Sequence, residues 1–146
     1  MISIATKEDL PRVVELVKAG IEELHFNYPV QDNVLADSVY RSFMLAPCFL
    51  VRDGNDIVGV ASLTLGNFPW SQKPYLTSNM VYVLPSNRSY SIVRRLYDYI
   101  INYAKLQGIS YLDNFMGNDK IDGRLRLAQS KGLEQTGISI KYEVKT

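Results

Sequence analysis

Apolar residues recur every three or four positions near the start of the chain and predict an amphipathic helix. Its inward positions are Leu10, Val13, Val14, Val17 and Ile21. Thr6 stands three residues before Asp9, an aspartate variant of the capping box that begins helices. A second helix is predicted from Val34 to Leu45, and Pro47 ends it. The inward residues of this second helix are Leu35, Val39, Phe43 and Met44.

Short runs of β-branched and aromatic residues, bounded by turn residues, predict the strands. They are Ile2–Ile4, Cys48–Arg52, Ile57–Leu65, Tyr75–Val83, Ile109–Phe115 and Thr136–Val144. Asp53, Gly54 and Asn55 predict a hairpin turn, so the strands on either side of it should be antiparallel. Two further helices are predicted, one from Ser89 to a cap at Gly108 and one from Asp119 to Ser130.

This order, β-α-α-β-β-β-α-β-α-β, predicts an α/β fold in which a central, mixed and twisted sheet is flanked by helices. The helix that begins at Ser89 must cross over the sheet. The strands before and after it should therefore be parallel neighbours. The chain of 146 residues is predicted to form a single domain, 1–146.

The segment Val81–Gly108 is the most informative part of the sequence. An apolar strand leads through a short polar turn directly into a long helix that stops at a glycine. Backbone N–H groups at a helix start have no internal acceptors and carry the positive end of the helix dipole, which suits a phosphate. The turn contains no glycine. An ordinary helix N-cap is therefore the alternative interpretation, because Ser86, Asn87 and Ser89 are all capping residue types.

Charge and cysteine content narrow the classes of partner and compartment. The sequence contains 16 Lys and Arg residues and 15 Asp and Glu residues. The resulting net charge of +1 argues against a nucleic-acid partner. The single Cys48 lies in an apolar run and is predicted to be buried and inert. The first residues do not form a signal peptide and no apolar run is long enough to span a membrane, so a cytoplasmic protein is expected. One Cys and one His also argue against a zinc site.

Two segments make the chain resemble the GCN5-related N-acetyltransferase (GNAT) family. In VLPSNRSYSIVRRL, three residues match the family's V-x-P strand end and its Q/R-x-x-G-x-G/A pyrophosphate loop: Val83, Pro85 and Arg88. Serines occupy the places of the two glycines, at Ser89 and Ser91, and Val93 replaces the last small residue. In LAQSKGLEQTGISIKYEV, the family's ending is matched by Leu127, Gly132 and Leu133, whereas Ala128 stands where the family has tyrosine.

The resemblance implies acetyl-CoA as the donor and an amine, of a small molecule or a protein, as the acceptor. The cofactor would lie between the strands Tyr75–Val83 and Ile109–Phe115. Backbone groups of Val81 and Val83 would pair with the pantetheine arm. Six N–H groups would hold the pyrophosphate, those of Arg88, Ser89, Tyr90, Ser91, Ile92 and Val93. Serine tolerates these positions if the loop winds as ordinary helix, so Ser89 and Ser91 are expected in helical backbone.

Amine acetylation needs a route for the amine proton, stabilisation of the developing negative oxygen and a proton for the leaving thiolate. The strand Tyr75–Val83 contains no carboxylate, so the weak catalytic candidates are Tyr82 and His25. The favoured alternative is that Tyr82 is an ordinary strand aromatic and that His25 is an incidental loop residue. A backbone N–H near Val81 would serve the oxygen. Aromatic residues in two loops mark the expected acceptor region or, alternatively, cap the core: Phe26, Tyr28 and Trp70.

Two main hypotheses follow. One is an acetyl-CoA-dependent N-acetyltransferase that uses water to carry protons. The other is a GNAT-like module that binds CoA or a partner with little or no turnover, which the missing strand carboxylate and Ala128 favour. An unrelated α/β domain is a third alternative, and a homodimer is left open.

Overall fold

The computed structural model describes residues 1–24, 28–114 and 121–134. Five strands are described: β1 (Ile2–Ile4), β2 (Phe49–Asp53), β3 (Asp56–Asn67), β4 (Pro74–Val83) and β5 (Leu112–Asn114). Four α-helices accompany them: α1 (Leu10–Glu23), α2 (Asp32–Leu45), α3 (Tyr90–Leu106) and α4 (Ile121–Ser130). Short 3₁₀ turns cover Lys7–Asp9 and Pro85–Asn87. The predicted order is confirmed over these elements, and the predicted strand Thr136–Val144 lies outside the described residues.

The five described strands form one mixed sheet in the order β1-β2-β3-β4-β5. Neighbours from β1 to β4 are antiparallel, whereas β5 pairs with β4 in parallel. The crossover through α3 therefore joins parallel neighbours, as predicted. The predicted hairpin between β2 and β3 is also present: Asp53 pairs with Asp56, and Gly54 adopts a positive φ of 61°.

Side chains of alternating strand positions fill two separate apolar clusters, one on each face of the sheet. On one face, α3 packs Leu96 and Ile100 against Phe49 and Leu76. On the other face, Leu50 joins residues of α1 and α2, among them Leu10, Val13 and Val39. Cys48 is buried in this second cluster, as predicted. The sheet is thus flanked by helices on both sides.

Three details differ from the sequence-based expectation. Met44 is 80% exposed and not inward, because α2 turns Val39 and Ser42 toward the sheet instead. Tyr97 of α3, which the helical pattern did not single out, is only 1% exposed. β5 begins at Leu112 and not at Ile109, since the N–H of Ile109 donates to the carbonyl of Ala104 and thereby closes the end of α3.

Candidate active site

The middle of β4 carries a β-bulge that changes the direction of the strand. Ser62 of β3 pairs with Met80 and Leu63 pairs with Ser78, so Asn79 is the extra residue. The side-chain amide of Asn79 donates to the hydroxyl of Ser42 on α2, at 3.2 Å. Ser42 is buried, so this contact anchors the bulge to the helix layer. Sequence reasoning missed it, because no local pattern links a helix serine to a strand asparagine 37 residues later.

Beyond the bulge, one side of β4 has no described strand partner. Within the described residues, β5 pairs with β4 only at Leu76, Thr77 and Ser78. The N–H of Leu84 donates to Val58 of β3 at 2.8 Å. Since hydrogen-bonding direction alternates along an antiparallel ladder, the backbone polar groups of Val81 and Val83 point away from β3. They therefore face the side on which the cofactor was expected.

The loop after β4 corrects one prediction. Ser89 is not helical but extended, with φ −147° and ψ 156°, and it is the N-cap of α3. Its hydroxyl oxygen accepts a hydrogen bond from the N–H of Ile92, at 3.2 Å. The capping interpretation is thus correct for Ser89, because an extended residue lets the side chain fold back over the first turn. Ser91 lies inside the helix, as expected.

The six N–H groups expected to hold a pyrophosphate fall into two sets. Three have acceptors within the chain: Arg88 donates to Pro85, Ile92 to the Ser89 hydroxyl and Val93 to the Ser89 carbonyl. The N–H groups of the other three donate to no described residue: Ser89, Tyr90 and Ser91. These three consecutive N–H groups stand at the positive end of the 17-residue helix α3 and form a candidate anion cradle.

The side chain of Arg88 donates hydrogen bonds to two residues, Val83 and Glu23. Its Nε and Nη2 both donate to the carbonyl oxygen of Val83, at 3.1 and 2.8 Å. Its Nη1 and Nη2 donate to the two carboxylate oxygens of Glu23 at the end of α1, at 3.0 and 2.9 Å. These bonds to Glu23 raise the pKa of Arg88 above its ordinary value. The guanidinium therefore ties the loop to β4 and to α1.

Tyr82 lies beside this arginine. Its ring is buried in the second apolar cluster, which includes residues of α1 and α2, and the guanidinium carbon of Arg88 stands 5.5 Å from the ring centre. Burial raises the pKa of Tyr82, and the negative charge of Glu23 adds to the shift. The phenol therefore keeps its proton at neutral pH, so it can donate a proton or a hydrogen bond more readily than it can act as a base.

The other predicted site residues are only partly placed. His25 and Phe26 lie outside the described residues. Tyr28 is 75% exposed. Trp70 stacks on Phe68 with ring centres 4.9 Å apart, and Phe68 in turn contacts Tyr75 and Tyr111. This aromatic cluster sits at the end of β4 opposite to Arg88, so the structure does not bring Trp70 together with the cradle.

Ala128 is buried in α4. The position that carries tyrosine in the resemblance therefore offers no proton to any site. Within residues 1–24, 28–114 and 121–134, no three His, Cys, Asp or Glu side chains lie close enough together to hold a metal ion. None of the described helices is long and apolar enough to cross a bilayer.

A bulged central strand with a parallel neighbour across a helical crossover is the arrangement of a GNAT acetyltransferase fold. Residues 17–121 match the acetyltransferase (GNAT) family. The chain belongs to this family. No curated protein sequence matches the chain significantly.

Solved structures with the same fold cover nearly the whole chain. A predicted acetyltransferase from Clostridium acetobutylicum, solved with acetyl-CoA, is 17% identical at a TM-score of 0.81, over 98% of this chain and 95% of that one. An aminoglycoside 6'-N-acetyltransferase from Acinetobacter haemolyticus is 14% identical at 0.72, over 100% and 99%. A ribosomal-protein-alanine N-acetyltransferase from Brucella melitensis biovar Abortus is 17% identical at 0.71, over 99% of each chain. At these identities the likeness establishes the fold alone.

Proposed function

We propose that this protein transfers an acetyl group from acetyl-CoA to an amine of a small molecule or a protein. The observation that carries the proposal is the cradle, the N–H groups of Ser89, Tyr90 and Ser91 that donate to no described residue, placed directly after the end of β4. A diphosphate fits a helix start of this kind because both the N–H groups and the helix dipole favour negative charge. The structure with acetyl-CoA among the similar folds supports the same ligand.

In this proposal the three free N–H groups hold the pyrophosphate, and the backbone of Val81 and Val83 pairs with the pantetheine arm. The N–H groups of Arg88, Ile92 and Val93 contribute less than the sequence suggested, because they already have acceptors within the chain. When bound, acetyl-CoA supplies an activated acetyl thioester. The Val81 N–H would then stabilise negative charge on the thioester oxygen.

Proton handling would rest mainly on water. β4 carries no carboxylate, and Tyr82 holds its proton at neutral pH. Tyr82 is therefore a candidate to donate a proton to the leaving thiolate, and His25 stays the candidate base that the sequence suggested. The acceptor would enter near Phe26 and Tyr28, which follow the end of α1 at Glu23.

Thermal shift with CoA and acetyl-CoA tests cofactor binding first. A ligand at 100 times its Kd should stabilise the fold by about 2.7 kcal/mol. A panel of amines with a thiol-release assay then tests turnover. Binding together with amine-dependent release of CoA supports the proposal. Absence of any stabilisation by either ligand would overturn it.

The Ser91→Glu variant tests the location of the site. The new carboxylate would stand among the cradle N–H groups and repel a diphosphate, so CoA affinity should fall by tenfold or more. Asn102→Glu is the matched control. It adds the same charge to an exposed position on the same helix, about 16 Å further along. CoA affinity that is equal in the two variants would contradict the cradle assignment.

A second candidate function is a CoA-binding module that does not turn over. Two observations favour it: the buried Ala128 in place of a proton donor, and the lack of a carboxylate on β4. It differs from the first proposal in one measurable result. CoA would stabilise the protein, but no amine would accelerate thiol release above the background rate.

A further inference from the structure

The contact between Arg88 and Val83 occupies the part of β4 that a pantetheine arm would need. Nε and Nη2 of Arg88 donate to the same carbonyl oxygen, at 3.1 and 2.8 Å. A carbonyl oxygen has two lone pairs, so two donors fill its hydrogen-bonding capacity. The oxygen points away from β3, toward the side of β4 that has no described strand partner at this position.

This contact supplies hydrogen-bond donors to the buried Val83 carbonyl when no ligand is bound. Val83 is only 3% exposed, and a buried carbonyl without a partner is costly. The guanidinium of Arg88 supplies the missing donors. Its planar fork can serve Val83 and Glu23 at the same time, which a lysine ammonium could not do with this geometry.

Three contacts hold the guanidinium in place: the Val83 carbonyl, the Glu23 carboxylate and the ring of Tyr82. The side chains of Arg88 and Glu23 are 39% and 36% exposed, so water can take over their hydrogen bonds when the pair opens. Exposed ion pairs of this kind are weak. The guanidinium therefore has defined partners when no ligand is bound. It can also exchange these partners for water at little cost in free energy.

We propose that Arg88 is an internal substitute for the pantetheine amide: its guanidinium caps the Val83 carbonyl in the empty protein and must leave before the pantetheine arm can pair there. Glu23 sets how firmly the guanidinium is held, so the end of α1 influences loading of the cofactor. This inference rests on the proposed function. After release, the positive charge stays one residue before the cradle, where it suits the diphosphate of whole CoA. The cost of release should therefore be visible mainly with a ligand that lacks phosphate.

Pantetheine, which has the arm but no phosphate, is the probe that isolates this contact. Its affinity can be measured by NMR titration for the wild type and for Arg88→Ala. Because no guanidinium needs to leave, Arg88→Ala should bind pantetheine roughly tenfold tighter. Glu23→Gln, which weakens the grip on Arg88, should fall between the two. Arg94→Ala removes an exposed arginine of α3, which begins two residues after Arg88, and should bind pantetheine as the wild type does.

A second measurement uses the wild type alone and so does not depend on how the variants fold. The Nε–H proton of Arg88 should exchange slowly with water in the free protein, because it is bonded to Val83. It should exchange faster at saturating pantetheine. Pantetheine binding by Arg88→Ala that is equal to or weaker than in the wild type would overturn the inference, as would unchanged Nε–H exchange.

The outcomes separate this inference from the function beneath it. Wild-type protein that binds neither CoA nor pantetheine would refute the proposed function and the inference together. Wild-type protein that binds CoA, combined with no gain in pantetheine affinity in Arg88→Ala, would refute only the role of Arg88.

Discussion

Ser89 is the position at which protein stability and cofactor binding should respond in opposite directions to one substitution. Its hydroxyl caps α3 by accepting a hydrogen bond from the N–H of Ile92, and its own N–H is one of the three cradle donors that no described residue accepts. Aspartate at this position would cap the helix at least as well as serine does. It would also place a negative charge where the proposed diphosphate binds.

The magnitudes follow from the capping geometry. Ser89→Ala removes the acceptor of Ile92 and should cost about 1 kcal/mol, which is a loss of about 2–4 °C in Tm for a chain of this size. Ser89→Gly should cost only a few tenths of a kcal/mol. Ser89→Asp should leave the free protein as stable or add about 0.3–1 kcal/mol, because its charge lies at the positive end of the helix.

Cofactor binding should change in the other direction for aspartate. Two unit charges about 5 Å apart repel by about 3 kcal/mol at an effective dielectric constant of about 20. Exposure of Ser89 and salt reduce this value. A loss of about tenfold or more in CoA affinity is therefore expected for Ser89→Asp, whereas Ser89→Ala should bind CoA within a few-fold of the wild type.

Urea unfolding gives the stability of each variant, and calorimetric titration gives its CoA affinity. Asn102→Asp, an isosteric change at an exposed position further along the same helix, serves as the charge control and should alter neither quantity much. A Ser89→Asp protein that is clearly less stable than Ser89→Ala would show that the cap is not formed as described. Unchanged CoA affinity in Ser89→Asp would show that the cradle does not hold the diphosphate.

Two further predictions concern ionisable groups away from the cradle. Burial raises the pKa of the Cys48 thiol to about 12, so iodoacetamide at pH 8 should label the native protein roughly a hundredfold or more slowly than the unfolded chain; equal labelling rates by mass spectrometry would contradict this. The hydrogen bond from the backbone N–H of Thr6 lowers the pKa of Asp9. Burial opposes this shift in part, and Arg52 adds to it. The Asp9 carboxylate therefore contributes its full stabilisation above the pKa of about 3.9 that it has in the unfolded chain. This stabilisation is lost as the pH falls through the lower pKa of Asp9 in the folded protein. Asp9→Asn should be less stable than the wild type at pH 6, and this difference should shrink toward pH 3; a difference independent of pH in urea unfolding would refute the assignment.

The sequence predicted the fold well where local patterns determine it. Gly108 ends α3 as expected, because the N–H groups of Gly108 and Ile109 bond back to Lys105 and Ala104 in the arrangement that glycine permits. The same bonds explain the error at the next strand. They hold Ile109 in the helix end, so an apolar residue that looks like the start of β5 belongs to the preceding cap.

The candidate site was predictable only in outline. The strand, loop and helix were placed correctly, because each has its own local signal. The partners of Arg88 were not, since Glu23 precedes it by 65 residues and nothing in either segment reveals the contact. The bulge at Asn79 was also missed, because it depends on how β3 and β4 align and not on the residue type alone.

Phosphate-binding loops use glycine for two different reasons, and this loop, which has no glycine, can be compared with each of them. One reason is left-handed backbone, and in the described ranges the glycines with positive φ are Gly54, Gly108 and Gly132, all outside the loop. Since Ser89 is extended, the loop has no conformational need for glycine there.

The second reason is close approach of the backbone to the ligand. Here the serine hydroxyl offers hydrogen bonds that an alanine methyl group cannot form. A hydroxyl can accept one hydrogen bond and donate another. The oxygen of Ser89 accepts from Ile92, which leaves its proton available to donate to a phosphate oxygen. Capping the helix and binding the anion therefore use different parts of the same group. Ser89 can replace a glycine and serve both tasks, whereas alanine at this position would lose the cap and the hydroxyl donor and keep only its backbone N–H for the anion.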